Sequence, residues 1–203
     1  MERDLASYAA VLSSAEAVPG GGSAAAYAGA LGAALAEMVA NIAARKAEPG
    51  ALQAFIDEAA ALRAELLGYV DKDAEAFLDV STAMKLPRAT DAEKEARTER
   101  LQAALISAAR PPLAIAAASR RVLTLCERAL ETASSATVSD VGVGALLAEA
   151  ALRAAALNVM ANLAWIADAG KVKVISEELD RSLDGSEAQR SAIVLTVESR
   201  IAR

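Results

Sequence analysis

The 203-residue chain is 55% hydrophobic, 24% charged and only 3% aromatic; 54 residues are alanine, one is cysteine and none is histidine. That excludes a Ser-His-Asp triad, a Cys-His pair, an HExxH zinc site, an internal disulfide and a CxxC redox pair, and leaves Asp, Glu, Lys, Tyr and Cys126 for any acid–base chemistry. A net charge of −6 offers no excess of Lys and Arg to replace the counterions of a nucleic acid or to seek an anionic membrane, and so few aromatic residues make a poor base-stacking surface.

The length suits one domain spanning 1–203 and suffices for a sizeable core. High apolar content with moderate charge marks a folded chain rather than a disordered one. The opening MERDLASYAAVL carries acidic residues and no long apolar run, so it does not read as a secretory signal. Ala24–Ala36 and Ala154–Ala167 are apolar but too short to span a bilayer, and read as buried helices. No membrane partner, no nucleic-acid partner and a cytoplasmic location are expected.

Alanine is the best intrinsic helix former, and no segment alternates apolar and polar residues as a strand would. The expected fold class is all-α, a multi-helix bundle with long, partly interrupted helices. A first helix covers Leu5 to Ser13. The Pro19-Gly20-Gly21-Gly22-Ser23 loop leads to a second, Ser23 to Arg45, whose large apolar residues Tyr27, Leu31, Leu35, Met38 and Ile42 fall at helical spacing. Ala25, Gly29 and Ala33 lie four apart on a neighbouring face, a spacing of small residues that lets helix backbones approach closely.

The Glu48-Pro49-Gly50 turn precedes a third helix, Ala51 to Met84, ended by Leu86-Pro87. Thr90-Asp91-Ala92-Glu93 is a capping box opening a fourth, which Pro111-Pro112 should stop. A fifth spans Leu113 to Thr132. Ser139 or Asp140 should cap a sixth helix running to Ala169; apolar nearly all round, it is expected at the centre of the bundle. Gly170 should end it, and a polar helix or helix pair, broken near Asp184-Gly185, completes the chain.

The informative positions are polar residues where the period calls for apolar ones. Asp73 continues the stripe of Leu66, Tyr69, Val70, Phe77 and Val80, where a carboxylate is costly unless paired or used. It reads either as a buried ion pair with a base such as Arg97 or as a functional carboxylate. Arg97 is in register with Leu101, Leu105 and Ala108, and reads as a site residue or as a snorkelling surface arginine.

Gly20-Gly21-Gly22-Ser23 is either a helix-entry turn or a cradle whose exposed N–H groups receive an anion. Asn41 lies between Glu37 and Arg45 on the second helix; Asn158 and Asn162 lie four apart on the sixth, where each either bonds a neighbouring helix or binds a ligand. Asp140 precedes Asn158 by five turns, so the two point the same way but stand roughly 27 Å apart, too far to touch one ligand within one straight helix.

Taken in order, Val18-Pro19-Gly20-Gly21-Gly22-Ser23-Ala24-Ala25-Ala26, Met38-Val39-Ala40-Asn41, Val70-Asp71-Lys72-Asp73-Ala74-Glu75-Ala76-Phe77, Lys85-Leu86-Pro87, Pro112-Leu113, Ser139-Asp140-Val141-Gly142-Val143-Gly144-Ala145, Asn158-Val159 and Asn162-Leu163 resemble the signature segments of the cyclodeaminase/cyclohydrolase family. That family includes the cyclodeaminase half of formiminotransferase-cyclodeaminase and single-domain methenyltetrahydrofolate cyclohydrolases. The resemblance covers about residues 5 to 170. It implies an all-helical homodimer, a cleft for a tetrahydrofolate derivative as substrate, and neither metal nor redox cofactor.

It also carries catalytic roles onto Asp73 and Asp140 and substrate-binding roles onto Gly20, Gly21, Gly22 and Ser23. Substrate-binding roles for Asn41, Arg97, Ser139, Asn158 and Asn162 are a further expectation. The implied reaction is the cyclodeaminase one, 5-formiminotetrahydrofolate to 5,10-methenyltetrahydrofolate and ammonia. The cyclohydrolase reaction is the alternative, and a non-catalytic folate-binding or oligomerisation bundle is the competing reading of another class. Asp73 would act as general acid and cation stabiliser. The glycine-rich loop, or Arg97 and Lys72, would receive the anionic glutamate tail.

Overall fold

A computed structural model describes residues 4–202, and among these every regular element is a helix. Eight helices follow in order: α1 (Leu5–Leu12), α2 (Gly21–Ala44), α3 (Gln53–Met84), α4 (Asp91–Ala108), α5 (Arg110–Ala129), α6 (Val138–Leu163), α7 (Ala169–Leu183) and α8 (Ser186–Ile201). The expected all-α bundle is thus the fold. Several boundaries differ from expectation for local reasons. Pro111 and Pro112 do not stop α4; they sit in the first turn of α5, where a missing N–H costs nothing. The break is the Ala109 junction. α6 ends at Leu163, not Ala169, and Gly170 lies inside α7, which Asp168 caps by accepting from the Lys171 N–H. Neither Ser139 nor Asp140 caps α6: Thr137 is the N-cap residue and both lie in the first turn. The capping box of α4 forms as expected, with the Glu93 N–H bonding the Thr90 hydroxyl at 3.2 Å and the Glu93 carboxylate receiving the Thr90 N–H at 2.9 Å.

Helices α2, α5 and α6 form the centre, flanked by α3 and α4 on one side and α7 and α8 on the other. The face of α2 that meets its neighbours is the small one: Ala25, Ala26, Gly29, Ala33 and Ala36 are buried, whereas Leu31, Met38 and Ile42 stay exposed. The large-residue stripe that the spacing picked out therefore points outward. The reason is the closeness of the helix seam. A Cβ added to Gly32 would lie 2.9 Å from the Gly144 carbonyl oxygen of α6, and one added to Gly29 would lie 2.9 Å from the Ser119 hydroxyl of α5. At those two points not even a methyl group fits without a shift, and the rest of this face is alanine.

α6 buries Val138, Val141, Ala145, Ala148, Leu152, Ala155 and Val159 but exposes Val143, Leu146, Leu157 and Met160, so it is central on three sides and open on the fourth. α2 has 24 residues and α6 has 26, and both, like the α4–α5 stretch, are long and apolar enough to cross a membrane by length and composition; the expectation that their apolar runs are too short is corrected on that point. About half of each apolar window is packed inside the bundle.

Candidate functional site

α2 begins at Gly21, earlier than expected, with Gly20 as its N-cap residue and no side chain capping it. Its first turn, Gly21-Gly22-Ser23, abuts the middle of α3 and the C-terminal half of α6. Ser23 is fully buried and its hydroxyl donates to the Val70 carbonyl of α3 at 2.7 Å, tying the α2 N-terminus to α3. One turn further along α3, Asp73 meets Gly22 so closely that a methyl group there would overlap the carboxyl atoms. On the other side a Cβ at Gly21 would be in ordinary contact with the Asn158 amide of α6, at 3.6 Å.

These three elements, with Leu105 and Ala108 of α4, enclose a cavity of about 340 Å³. The chain segment at Ala17, Val18 and Gly20 to Gly22 forms one wall, Asp73, Phe77, Val80 and Met84 of α3 a second, and Asn158, Ala161, Asn162 and Trp165 a third. It is the mixture expected of a small-molecule site, mostly apolar with a few convergent polar groups. Larger depressions at the α7–α8 turn and along α3 and α5 are wide open to solvent and lined by mixed charges.

Burial pushes the Asp73 carboxyl above the usual carboxylate range, while the Ser23 N–H and hydroxyl pull in the opposite direction. Desolvation prevails, so this acid holds its proton to higher pH than an exposed aspartate. Asn158 donates to the Ala154 carbonyl of its own helix at 2.9 Å, and Asn162 donates to the Ala108 carbonyl of α4 at 3.1 Å. Each amide donor is thus anchored, orienting the side chain where it lines the cavity.

The expected site residues divide. Gly20, Gly21, Gly22, Asp73, Asn158 and Asn162 line one cavity, and Ser23 stands directly behind it. Arg97 is outside it and does not pair with Asp73: its Nε donates to the Met84 carbonyl at 3.2 Å, tying α4 to the end of α3. Lys72 lies over the Tyr69 ring at 4.8 Å, facing the groove beside α5 rather than the cavity. Asn41, Ser139 and Asp140 stand at the opposite end of the bundle, because α2 runs antiparallel to α6 and Gly21 lies beside Asn158 whereas Gly32 lies beside Gly144. Within one chain Asp140 does not share a cavity with Asp73. Phe77, Met84 and Trp165 were not expected at a site. They are among many large apolar side chains left exposed, at 51%, 45% and 69%, and spacing along a helix gives no signal that separates them from the others.

The chain is similar to known proteins in sequence and in fold. The formiminotransferase-cyclodeaminase family profile matches residues 4–181. The methenyltetrahydrofolate cyclohydrolase of Methylorubrum extorquens is 38% identical over 194 residues, covering 94% of this chain and 93% of that protein. The formimidoyltransferase-cyclodeaminase of Gallus gallus is 33% identical over 199 residues, 96% of this chain but 37% of that protein, so this chain spans just over a third of its length. The crystal structure of formiminotetrahydrofolate cyclodeaminase from Thermotoga maritima superposes with a TM-score of 0.79 at 27% identity, covering 98% of this chain and 96% of that one. The chain belongs to the formiminotransferase-cyclodeaminase family.

Proposed function

We propose that this protein hydrolyses the one-carbon bridge of 5,10-methenyltetrahydrofolate to give 10-formyltetrahydrofolate, with Asp73 as its acid–base residue. The observation that supports this is a half-buried carboxyl group, its pKa raised by burial, at the wall of a cavity between the α2 N-terminus and two oriented asparagines. The choice of hydrolysis rests on the cyclohydrolase relative that matches this chain over 93% of its own length.

In this reaction water adds to the cationic bridge carbon, and ionised Asp73 takes one of its protons. The bond from that carbon to N5 then breaks. N5 keeps the electron pair and receives the proton back from Asp73, while the carbinol proton leaves to solvent as the formyl C=O forms. One proton is released in all. A carboxyl with its pKa moved toward neutrality can serve both as base and as acid in that sequence. Its negative charge also favours the cationic substrate. Asn158 and Asn162 present amide oxygens to the pterin donors, and Phe77, Met84 and Trp165 give the ring its apolar contacts. Substrate and product share an oxidation level, so the step needs no redox cofactor.

Cyclodeamination is the second reading, supported by the Thermotoga structure. There N10 attacks the carbon of the protonated formimino group, ionised Asp73 takes the N10 proton as the new C–N bond forms, and Asp73 returns that proton to the former imino nitrogen, which leaves as ammonia with its bonding electron pair and leaves the cationic methenyl bridge. One spectrophotometric pair of assays tests both readings: decay of the methenyl absorbance, and its appearance from 5-formiminotetrahydrofolate. Catalysed decay alone supports the hydrolase, catalysed appearance the deaminase. Neither change, without folate binding, supports a non-catalytic bundle.

A further inference from the structure

Between the end of α6 at Leu163 and the start of α7 at Ala169 the chain leaves helical geometry, and Trp165, the single tryptophan of the protein, sits on that segment. Its N–H still bonds the Asn162 carbonyl at 3.1 Å, at the end of α6. The next residue, Ile166, is buried in the core, whereas Trp165 stays mostly exposed and lines the cavity. A large ring on a non-helical segment keeps one position only if the backbone beneath it is held.

Gln102 of α4 holds it. Its side-chain Nε2 donates to the Trp165 carbonyl at 3.0 Å, and its Oε1 accepts the Ala167 N–H at 2.7 Å. These two backbone groups flank Ile166, and a primary amide offers them the donor–acceptor pair that a neighbouring strand would. The pairing also fixes which end of the amide is oxygen, because the N–H needs an acceptor and the carbonyl a donor. The contact joins residues 63 and 65 positions apart, so it belongs to the tertiary fold and not to either helix.

On the opposite wall α4 makes a comparable tie, from Arg97 to the carbonyl of Met84, and α4 itself presents Leu105 and Ala108 to the cavity. The two ties differ in consequence. Met84 is the last residue of α3 and its position follows from that helix, whereas Trp165 lies beyond α6. Gln102 therefore decides where the indole stands.

We propose that Gln102 is a positioning residue for substrate binding, holding Trp165 at the cavity mouth so that the indole forms a wall against the bound ring system. It acts on binding and leaves the acid–base step at Asp73 unchanged. The clamp is a property of the fold; its effect on a folate rests on the function proposed above.

Gln102→Met keeps the length and apolar stem of the side chain and removes both bonds. Trp165 and Ala167 are exposed, so water replaces the lost partners and the melting temperature is expected to stay close to wild type. The fluorescence anisotropy of the ligand-free variant, which reports Trp165 alone, is expected to fall as the ring gains local motion. KM for 5,10-methenyltetrahydrofolate is expected to rise about 10-fold with kcat within about twofold of wild type, the pattern of lost uniform binding. Trp165→Ala is expected to raise KM to a similar extent, and the double variant to bind no more weakly than Trp165→Ala alone, because residues acting through one contact are not additive. Should Gln102→Met fail to fold, Gln102→Glu keeps the bond from the Ala167 N–H, turns a carboxylate toward the Trp165 carbonyl, and is expected to move the same readouts in the same directions.

Unchanged anisotropy in a folded variant, lowered anisotropy with unchanged KM, a fall in kcat at constant KM, or additive effects in the double variant each overturn the positioning role. Wild-type protein that neither binds nor turns over the methenyl or formimino folate overturns the proposed function and the binding role with it. A lowered anisotropy in Gln102→Met then supports the clamp alone.

Discussion

Gly22 of α2 and Asp73 of α3 occupy adjoining space with no room for one more carbon: a methyl group on Gly22 would overlap the carboxyl group of Asp73. The helix N-terminus and the half-buried acid are therefore fitted to each other, and Gly22 is glycine because of what stands across from it rather than because of its backbone angles. Gly22→Ala must displace the carboxyl. Helix propensity favours alanine by about 1 kcal/mol, while overpacking costs about 1–3 kcal/mol, so the net loss of stability should be small. Misplacing the acid should lower turnover on the order of 100-fold. Thermal melts alongside methenyl-bridge kinetics check this; wild-type turnover in Gly22→Ala would remove Asp73 from the mechanism.

Asp73→Asn should abolish turnover and yet stabilise the fold near neutral pH. The folded-state pKa of Asp73 lies above its ordinary value because burial disfavours the charge. The native state therefore binds its proton more tightly than the unfolded chain, and stability falls as pH rises from the ordinary carboxylate pKa through the raised one. An asparagine escapes that loss. The expected result is a higher melting temperature for the variant at pH 7 and a gap that closes as the pH drops through the carboxylate range. A gap that widens on acidification contradicts the raised pKa.

Asn162 and Asn158 should respond differently to alanine. Asn162 bonds the Ala108 carbonyl of a neighbouring helix, so its loss leaves a buried acceptor unpaired and should cost about 1–3 kcal/mol. Asn158 bonds a carbonyl within its own helix that already serves the helix ladder, so Asn158→Ala should change stability by less than about 1 kcal/mol. Both should raise KM for the folate. Chemical denaturation with steady-state kinetics distinguishes the structural from the binding share.

The α2–α6 seam sets the third kind of test. Gly32→Ala drives a methyl group against the Gly144 carbonyl oxygen, a backbone atom that cannot rotate away. A loss of about 1–3 kcal/mol is expected from overpacking, measurable by urea denaturation. A neutral substitution would show that the two helices can part without penalty.

Cys126 lies under the same seam, and burial pushes its thiol pKa up to about 12. A thiol that holds its proton and is sealed from solvent does not react. Native protein at pH 8 should therefore resist a disulfide-exchange reagent over hours, and the denatured protein should consume one equivalent at once. Rapid labelling of the native protein would mean that the seam opens.

Much of this was legible before the fold. The absence of histidine narrowed the chemistry to carboxylates, the alanine content dictated helices, and Asp73 stood out because a charge interrupts an apolar stripe. Thr90 and Glu93 announced the start of α4, since a capping box is a local arrangement that neighbouring residues satisfy among themselves. What spacing along one helix cannot supply is which neighbour fills each direction. Leu31 and Met38 look like core and lie outside, because the backbones of α2 and α6 come too close for anything larger than alanine. Arg97 looks like the partner of Asp73 and instead bonds Met84. Asp140 shares a helix with Asn158 but stands at its far end. The sequence by itself determined which residues could do chemistry; the packing of helices that are distant in sequence decided which of them meet, because only tertiary contact fixes where a side chain's direction leads.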